Sequence, residues 1–475
     1  MHAAGKAAEH GGEADLAKTK PAEQDDHLPA RNLIAHSLIM IPIAGAQLPL
    51  GTYVPTIYAQ HFGISLYALS LIFLAERIWG TAADPIVGWL CDRTKSRYGR
   101  RKVWIAAGAV LFFISYGILF FPFAGMSPLV MTVTLAVLFF AWSMIVIPFY
   151  AWSGELSKGY HERTRVTTYQ TVVSAISLIV ILALPALVDY FRPEALLLKL
   201  HVIGAVVLIP MIPIMIFGLR AFPDNSTTPV VRQKKEKTDW RAVLRAVTEE
   251  KATFKIMLAD FAILFAQGIR GGFFLFYVIF VLDMPRLAGF MFLYQFVFGI
   301  FAAPIWQAVS RRIGKHRAVI ATELLQAAIN LPLIFLGAGQ WVLFLALASV
   351  QGLTQASGNL ILRAMLADVA DEHRLRTGND RTAMLFSAFS VSGKAGAALP
   401  LTVGLPIIAW YGFDATAASN SDAGLLALAL VFGLGPCLAH LVAALLMRGF
   451  NIDEARQAEI RAELEARDAV EAAAS

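Results

Sequence analysis

The sequence predicts an all-α polytopic membrane protein: twelve transmembrane helices in two pseudo-symmetric six-helix bundles. Three observations predict it. Of 475 residues, 57% are hydrophobic and only 16% charged, against about 25% charged in a typical soluble domain. The apolar residues gather into twelve runs, each able to cross a bilayer as a helix of about 20 residues. Six runs, a polar linker and six more runs then point to a duplicated unit. This composition excludes a disordered chain and an ordinary soluble enzyme. Two cysteines, Cys91 and Cys437, cannot build a disulfide framework and read as small packing residues.

Residues 1–31 are polar, of mixed charge and without an apolar stretch, so they read as a cytoplasmic tail rather than a cleaved signal. Spans 1–6 follow at about 33–58, 67–91, 103–123, 127–152, 167–191 and 196–221, giving an N-terminal bundle over 32–222. A hydrophilic linker occupies 223–252. Spans 7–12 lie at about 254–281, 286–308, 318–337, 340–366, 383–410 and 424–447, giving a C-terminal bundle over 253–448. In lipid, backbone amides can bond only within such helices. The tail over 449–475 predicts a charged cytoplasmic helix, with Asn451 as N-cap and Glu454 three residues later.

Net charge is +6 with a pI near 9.2. The basic residues sit in short clusters between spans, which is a topology signal and not a nucleic-acid surface. The loops after spans 2, 4, 6, 8 and 10 carry 25 Lys and Arg, and the opposite loops carry only Arg192, Lys199 and Arg286. That asymmetry places both termini and the linker in the cytoplasm of a bacterial-type inner membrane. The halves also echo each other: "ADPIVGWLCDRTKSRYGRRKVWI" at 83–105 pairs with "APIWQAVSRRIGKHRAVI" at 303–320, and Glu155 with Asp368. Such a repeat describes a two-bundle secondary transporter.

Gly88, Asp92 and Arg93 followed by Gly99, Arg100 and Arg101 resemble the loop 2–3 signature of the major facilitator superfamily. The longer stretch between Asp92 and Gly99, preceded by Asp84-Pro85, is similar to the glycoside–pentoside–hexuronide:cation symporters, the melibiose-permease-like branch. Segments 147–169 and 365–400 agree. The resemblance covers spans 1–12 and implies transport of a sugar, glycoside or sugar acid by alternating access, coupled to a cation. Asp84 matches a family position implicated in cation binding, and Lys394 matches a lysine near that site. Where such symporters commonly carry a second Asp, this chain has Gly80. Two carboxylates four apart can share a sodium ion, whereas one suits a proton. Proton coupling is therefore favoured over sodium.

From the residues themselves, an ionised Asp84 in span 2 costs at least ~2.5 kcal/mol unless paired. Lys394 in span 11 is the natural partner. Gln351, Gln355, Asn359 and Arg363, spaced by four, predict one polar stripe along span 10. They read either as glue between helices or as the lining of a wet pathway. Glu323, Gln326 and Asn330 of span 9 read as structural. Asp260, Gln267 and Arg270 share a face of span 7, and Arg270 either binds an anionic group or neutralises Asp260 or Glu76. Glu76 itself reads as a structural ion pair with another helix. Tyr53, Trp142 and Tyr150 are candidate aromatic surfaces in the cavity. Gly88, Asp92, Arg93, Arg97, Gly99, Arg100 and Arg101 read as a gating loop locking one bundle against the other.

No phosphate loop, metal-spaced Cys/His set or nucleophile triad occurs, so the reading is neither an enzyme nor a cofactor or metal protein. His36, His201 and His440 read as packed or hydrogen-bonded. The expected partners are a small-molecule solute and the bilayer, with the chain acting as a monomer. Two alternatives stay open. One keeps the fold but carries a lipid-like or aromatic organic anion, with Arg270 or Arg363 as charge partner. The other is a non-transporting membrane sensor or polytopic enzyme.

Overall fold

A computed structural model describes residues 28–156, 160–224, 251–355, 357–378, 381–417, 419–450 and 452–474. Most of the N-terminal tail and of the central linker lies outside them. Among the described residues the fold is entirely helical, with no strand.

Span 1 comprises Ala30–Ser37 and Met40–Phe62. Span 2 is Leu66–Arg93, started by the Ser65 hydroxyl, which accepts from Ala68 N. Its Oγ satisfies one of the free amides of the first turn. Spans 3–6 are Arg100–Phe120, Pro128–Glu155, Tyr160–Phe191 and Leu196–Arg220. Span 7, Lys251–Phe276, runs on into a π-helical turn at Tyr277–Val281. Span 9 is Lys315–Asn330 with a 3₁₀ extension, span 11 is Thr382–Trp410 and span 12 is Asp422–Leu446.

Ten of these helices are long and apolar enough to cross a membrane unaided. Spans 8 and 10 depart from the expected continuous helices. Span 8 is a pair, Ala288–Gly299 and Ala302–Ile313, bent by 40°. Span 10 is Trp341–Thr354 and Ser357–Thr377, separated at an extended Gln355 (φ −63°, ψ 139°). The polar stripe therefore does not lie on one helix face, because the register is reset at Gln355.

Within the N-terminal bundle, span 4 packs on spans 2 and 3, and span 6 packs on spans 1, 3 and 5. In the C-terminal bundle, span 7 packs on spans 11 and 12, and span 12 on span 9. The two bundles meet through spans 1 and 7, 2 and 11, and 5 and 8. The last helix, Glu454–Ala474, packs on span 10. Its cap bond comes from Asp453, whose Oδ1 accepts from Arg456 N at 2.9 Å; Asn451, the expected cap, lies outside the described residues. Both cysteines are free and buried. His36 meets Ser153 Oγ at 2.9 Å, His201 stacks on Phe121, and His440 meets Glu323 at 2.6 Å.

We call the side where the linker joins the bundles the linker face, and the opposite side the far face.

Candidate functional site

Asp84 stands about one-third of the way up span 2 from the linker face, one residue before Pro85. One of its carboxylate oxygens accepts from Lys394 Nζ at 2.6 Å and the other from Ser143 Oγ of span 4 at 2.6 Å. The pair therefore bridges the two bundles in the middle of the molecule. Both side chains are part exposed, 37% for Asp84 and 45% for Lys394. The pair is thus part open at the boundary between the bundles, deep in the spans. Ser143 was not singled out from sequence; a lone serine in an apolar span carries no signal until its partner is known.

Above Asp84, Glu76 and Phe139 lie at ordinary contact distance from Gly80. A Glu76 carboxylate oxygen lies 3.8 Å from where a Gly80 Cβ would stand. Glu76 is buried and its ion partner is its own neighbour Arg77, at 3.2 Å, not a residue on another helix.

Within the C-terminal bundle, spans 7 and 10 are joined by an amide relay. Asn359 donates to Asp260 Oδ1 at 2.8 Å and accepts from Gln267 Nε2 at 3.0 Å. Arg363 is exposed one turn nearer the linker face. Arg270 meets neither Asp260 nor Glu76. Its guanidinium sits over the Phe432 ring, 4.2 Å from the centroid, and its buried Nε and Nη1 have no hydrogen-bond partner.

The other cavity candidates scatter. Gln351 is buried, with its amide oxygen 3.4 Å from Asn330 Nδ2 on span 9. That places it in helix packing, as a buried amide must bond locally. Gln355 sits at the break in span 10, where its buried Oε1 has no partner. Trp142 packs against Phe112 and Phe139. Tyr150 is half exposed near the linker-face end of span 4. Tyr53 is buried toward the far face, beside Asp189 and Lys199. Asp189 escaped the sequence reading because it lies at a span end, where a carboxylate looks like ordinary loop polarity.

The expected lock between bundles is not what the loop after span 2 builds. Arg101 makes a bidentate pair with Glu155 of its own bundle, and Arg100 lies 3.9 Å from the same carboxylate. Asp224, where the chain leaves span 6, accepts from Arg101 N at 2.9 Å and Lys102 N at 3.2 Å, so it caps span 3. Gly99 has φ +91°, and a Cβ there would overlap the Asp224 carboxylate. Arg93 covers Trp89, Arg97 covers Tyr98, Asp92 is exposed and Gly88 faces Ile147. The signature ties loop, span 4 and linker into one bundle. Its charges are used locally because a carboxylate and two free helix amides lie within reach.

A family model described as MFS/sugar transport protein matches residues 35–454. The chain belongs to that family. Several curated relatives align over most of the chain. The inner membrane symporter YicJ of Escherichia coli (strain K12) is 23% identical over 411 residues, covering 84% of this chain and 86% of the relative. The raffinose carrier protein of Pediococcus pentosaceus is 22% identical over 416 residues, covering 84% of this chain and 64% of the relative. Among solved structures, the nucleoside transporter NupG superposes with a TM-score of 0.59 at 12% identity, covering 89% of this chain and 99% of that one. That likeness bears on the fold alone. As a member of this transporter family, the chain is a multi-pass membrane protein that carries a small organic solute by alternating access.

Proposed function

We propose that this chain is a monomeric proton-coupled symporter that carries a sugar or glycoside across a bacterial-type inner membrane. The linker face is cytoplasmic on this reading, since 25 of the loop cations lie there. The observation that carries it is the Asp84–Lys394 pair, which joins the two moving bodies and is part open at the boundary between them. Protonation of Asp84 removes its charge, frees Lys394 and loosens the bundles exactly where they meet. Gly80 supports a proton over sodium, because the site has one carboxylate where a hard cation prefers several oxygen ligands. The Asn359 relay and Gln267 offer paired donors and acceptors of the kind that sugar hydroxyls use. The names of the relatives, a raffinose carrier among them, favour the same class.

Purified protein in liposomes tests it. Raffinose and other labelled glycosides should accumulate under an imposed pH gradient and not under a sodium gradient. Asp84→Asn should lower accumulation by about tenfold or more while leaving solute binding measurable. Accumulation driven equally by sodium alone would overturn proton coupling. A second reading, a solute with an anionic group, is favoured by Arg270, whose Nε and Nη1 lack partners. Competition by glucuronides but not by neutral glycosides, lost in Arg270→Gln, would decide for it.

A further inference from the structure

The far face carries a second charge pair that no sequence motif announces. Asp189 ends span 5 and Lys199 begins span 6, with Lys199 Nζ 2.6 Å from Asp189 Oδ1 and 2.8 Å from Pro193 O. Both side chains are nearly inaccessible, 3% and 4% exposed. A buried ion pair is a poor stabiliser by itself, because desolvation cancels most of the attraction. The other oxygen of Asp189 supplies a reason for it. It accepts from Gly289 N at 3.0 Å, across the boundary between the bundles. Gly289 is the second residue of the helix Ala288–Gly299, so its N–H is one of the first-turn amides without a partner inside the helix. A carboxylate there also meets the positive end of the helix dipole.

The approach is backbone to backbone. A Cβ at Gly289 would lie 2.6 Å from Ala186 Cα and 2.7 Å from Asp189 Oδ2. Beside it Tyr190 packs edge-on against Phe290, with centroids 6.0 Å apart. Beside the pair is a small cavity of about 10 Å³, lined by Tyr53, Thr56, Gln60, Asp189, Lys199 and Leu275 among others. The Tyr53 hydroxyl is buried there without a hydrogen-bond partner.

We infer that Asp189, held by Lys199, is the latch that closes the solute pathway at the far face by gripping the first turn of span 8. The division of labour follows from the partners. Lys199 belongs to the same bundle as Asp189 and travels with it. Gly289 belongs to the other bundle and must be released when spans 5 and 8 part. The lysine holds the carboxylate in place, aimed at span 8, while the latch is open. The inference rests on alternating access and on neither the solute nor the coupling ion proposed above.

Accessibility labelling tests it without transport. Full-length protein lacking its native thiols (Cys91→Ser, Cys437→Ser) would carry a single reporter, Gln60→Cys, in sealed vesicles. A membrane-impermeant maleimide is then applied to the far face. Gly289→Ala, which wedges spans 5 and 8 apart, should raise the labelling rate about tenfold, the loss expected for one charge-assisted bond. The double variant Asp189→Asn/Lys199→Met, which leaves no orphaned charge, should do the same. A second reporter on the linker-face side of Lys394, Ser387→Cys, should lose accessibility in parallel. Unchanged labelling of Gln60→Cys in Gly289→Ala overturns the latch, whether or not the double variant inserts. Increased labelling with no change at Ser387→Cys also overturns it, since that is local loosening and not a shift between access states.

Discussion

The linker-face ends of the two bundles are built on one plan and finished differently. Each begins its third helix after a left-handed glycine, Gly99 at φ +91° and Gly314 at φ +87°. Each ties that helix to the end of the next one by an acid–base pair, Arg101–Glu155 in the first half and Lys315–Asp368, at 2.5 Å, in the second. In the first half the glycine is covered by Asp224, which caps span 3. In the second, Gly314 opens instead onto a cavity of about 570 Å³ lined by His316, Arg317, Phe450, Asp453 and Glu454. Asp453, at the corresponding chain exit, caps its own helix. The repeat thus preserves backbone geometry and charge pairing, while the cap was free to diverge. The first half is the more fully capped corner.

Substitutions can break this contrast. Gly99→Ala should be the most damaging, about 3 kcal/mol, because it adds left-handed strain and expels the Asp224 cap. Gly314→Ala should cost only the strain, about 1 kcal/mol. Melting temperatures of the purified variants would rank them, and equal losses would erase the distinction. Next comes the acid–base pair. Glu155→Gln strands Arg101, whose side chain is only 8% exposed, at roughly 1–3 kcal/mol. Asp368→Asn releases Lys315, which at 36% exposed can turn to water, so the loss should stay near or below about 1 kcal/mol. Asp224→Ala should then cost about 1 kcal/mol as a lost cap, read as earlier hydrogen exchange at Arg101 and Lys102. Asp453→Ala should be smallest, about 0.5 kcal/mol, and confined to fraying of the last helix.

The fold was legible because its two signals are insensitive to detail. Apolar run length and loop charge survive local irregularities, and the echo between 83–105 and 303–320 exposed the repeat. The interruptions were not legible, since the bend of span 8 sits inside an apolar run and the polar residues around Gln355, spaced by four, fit one face of an unbroken helix as well as a break. The Asp84–Lys394 contact could be read because opposite charges deep in a membrane have few alternatives to each other. The loop after span 2 misled for the converse reason. Its arginines had several partners to choose from, and Glu155 in their own bundle lay nearest. Lys199 counted in sequence only as one of three far-side cations and Asp189 not at all, since ten residues around a turn look like any exposed hairpin until span 8 arrives on top of them.

The Asp84–Lys394 contact has an electrical consequence. A carboxylate and an ammonium 2.6 Å apart present no net charge to the transmembrane field, so voltage does no work on that pair as the empty bundles rock. A cation bound there adds one elementary charge. If it crosses the full field, that charge is worth about 2.3 kcal/mol per 100 mV. The potential would then drive the loaded carrier and leave the returning empty one to thermal motion.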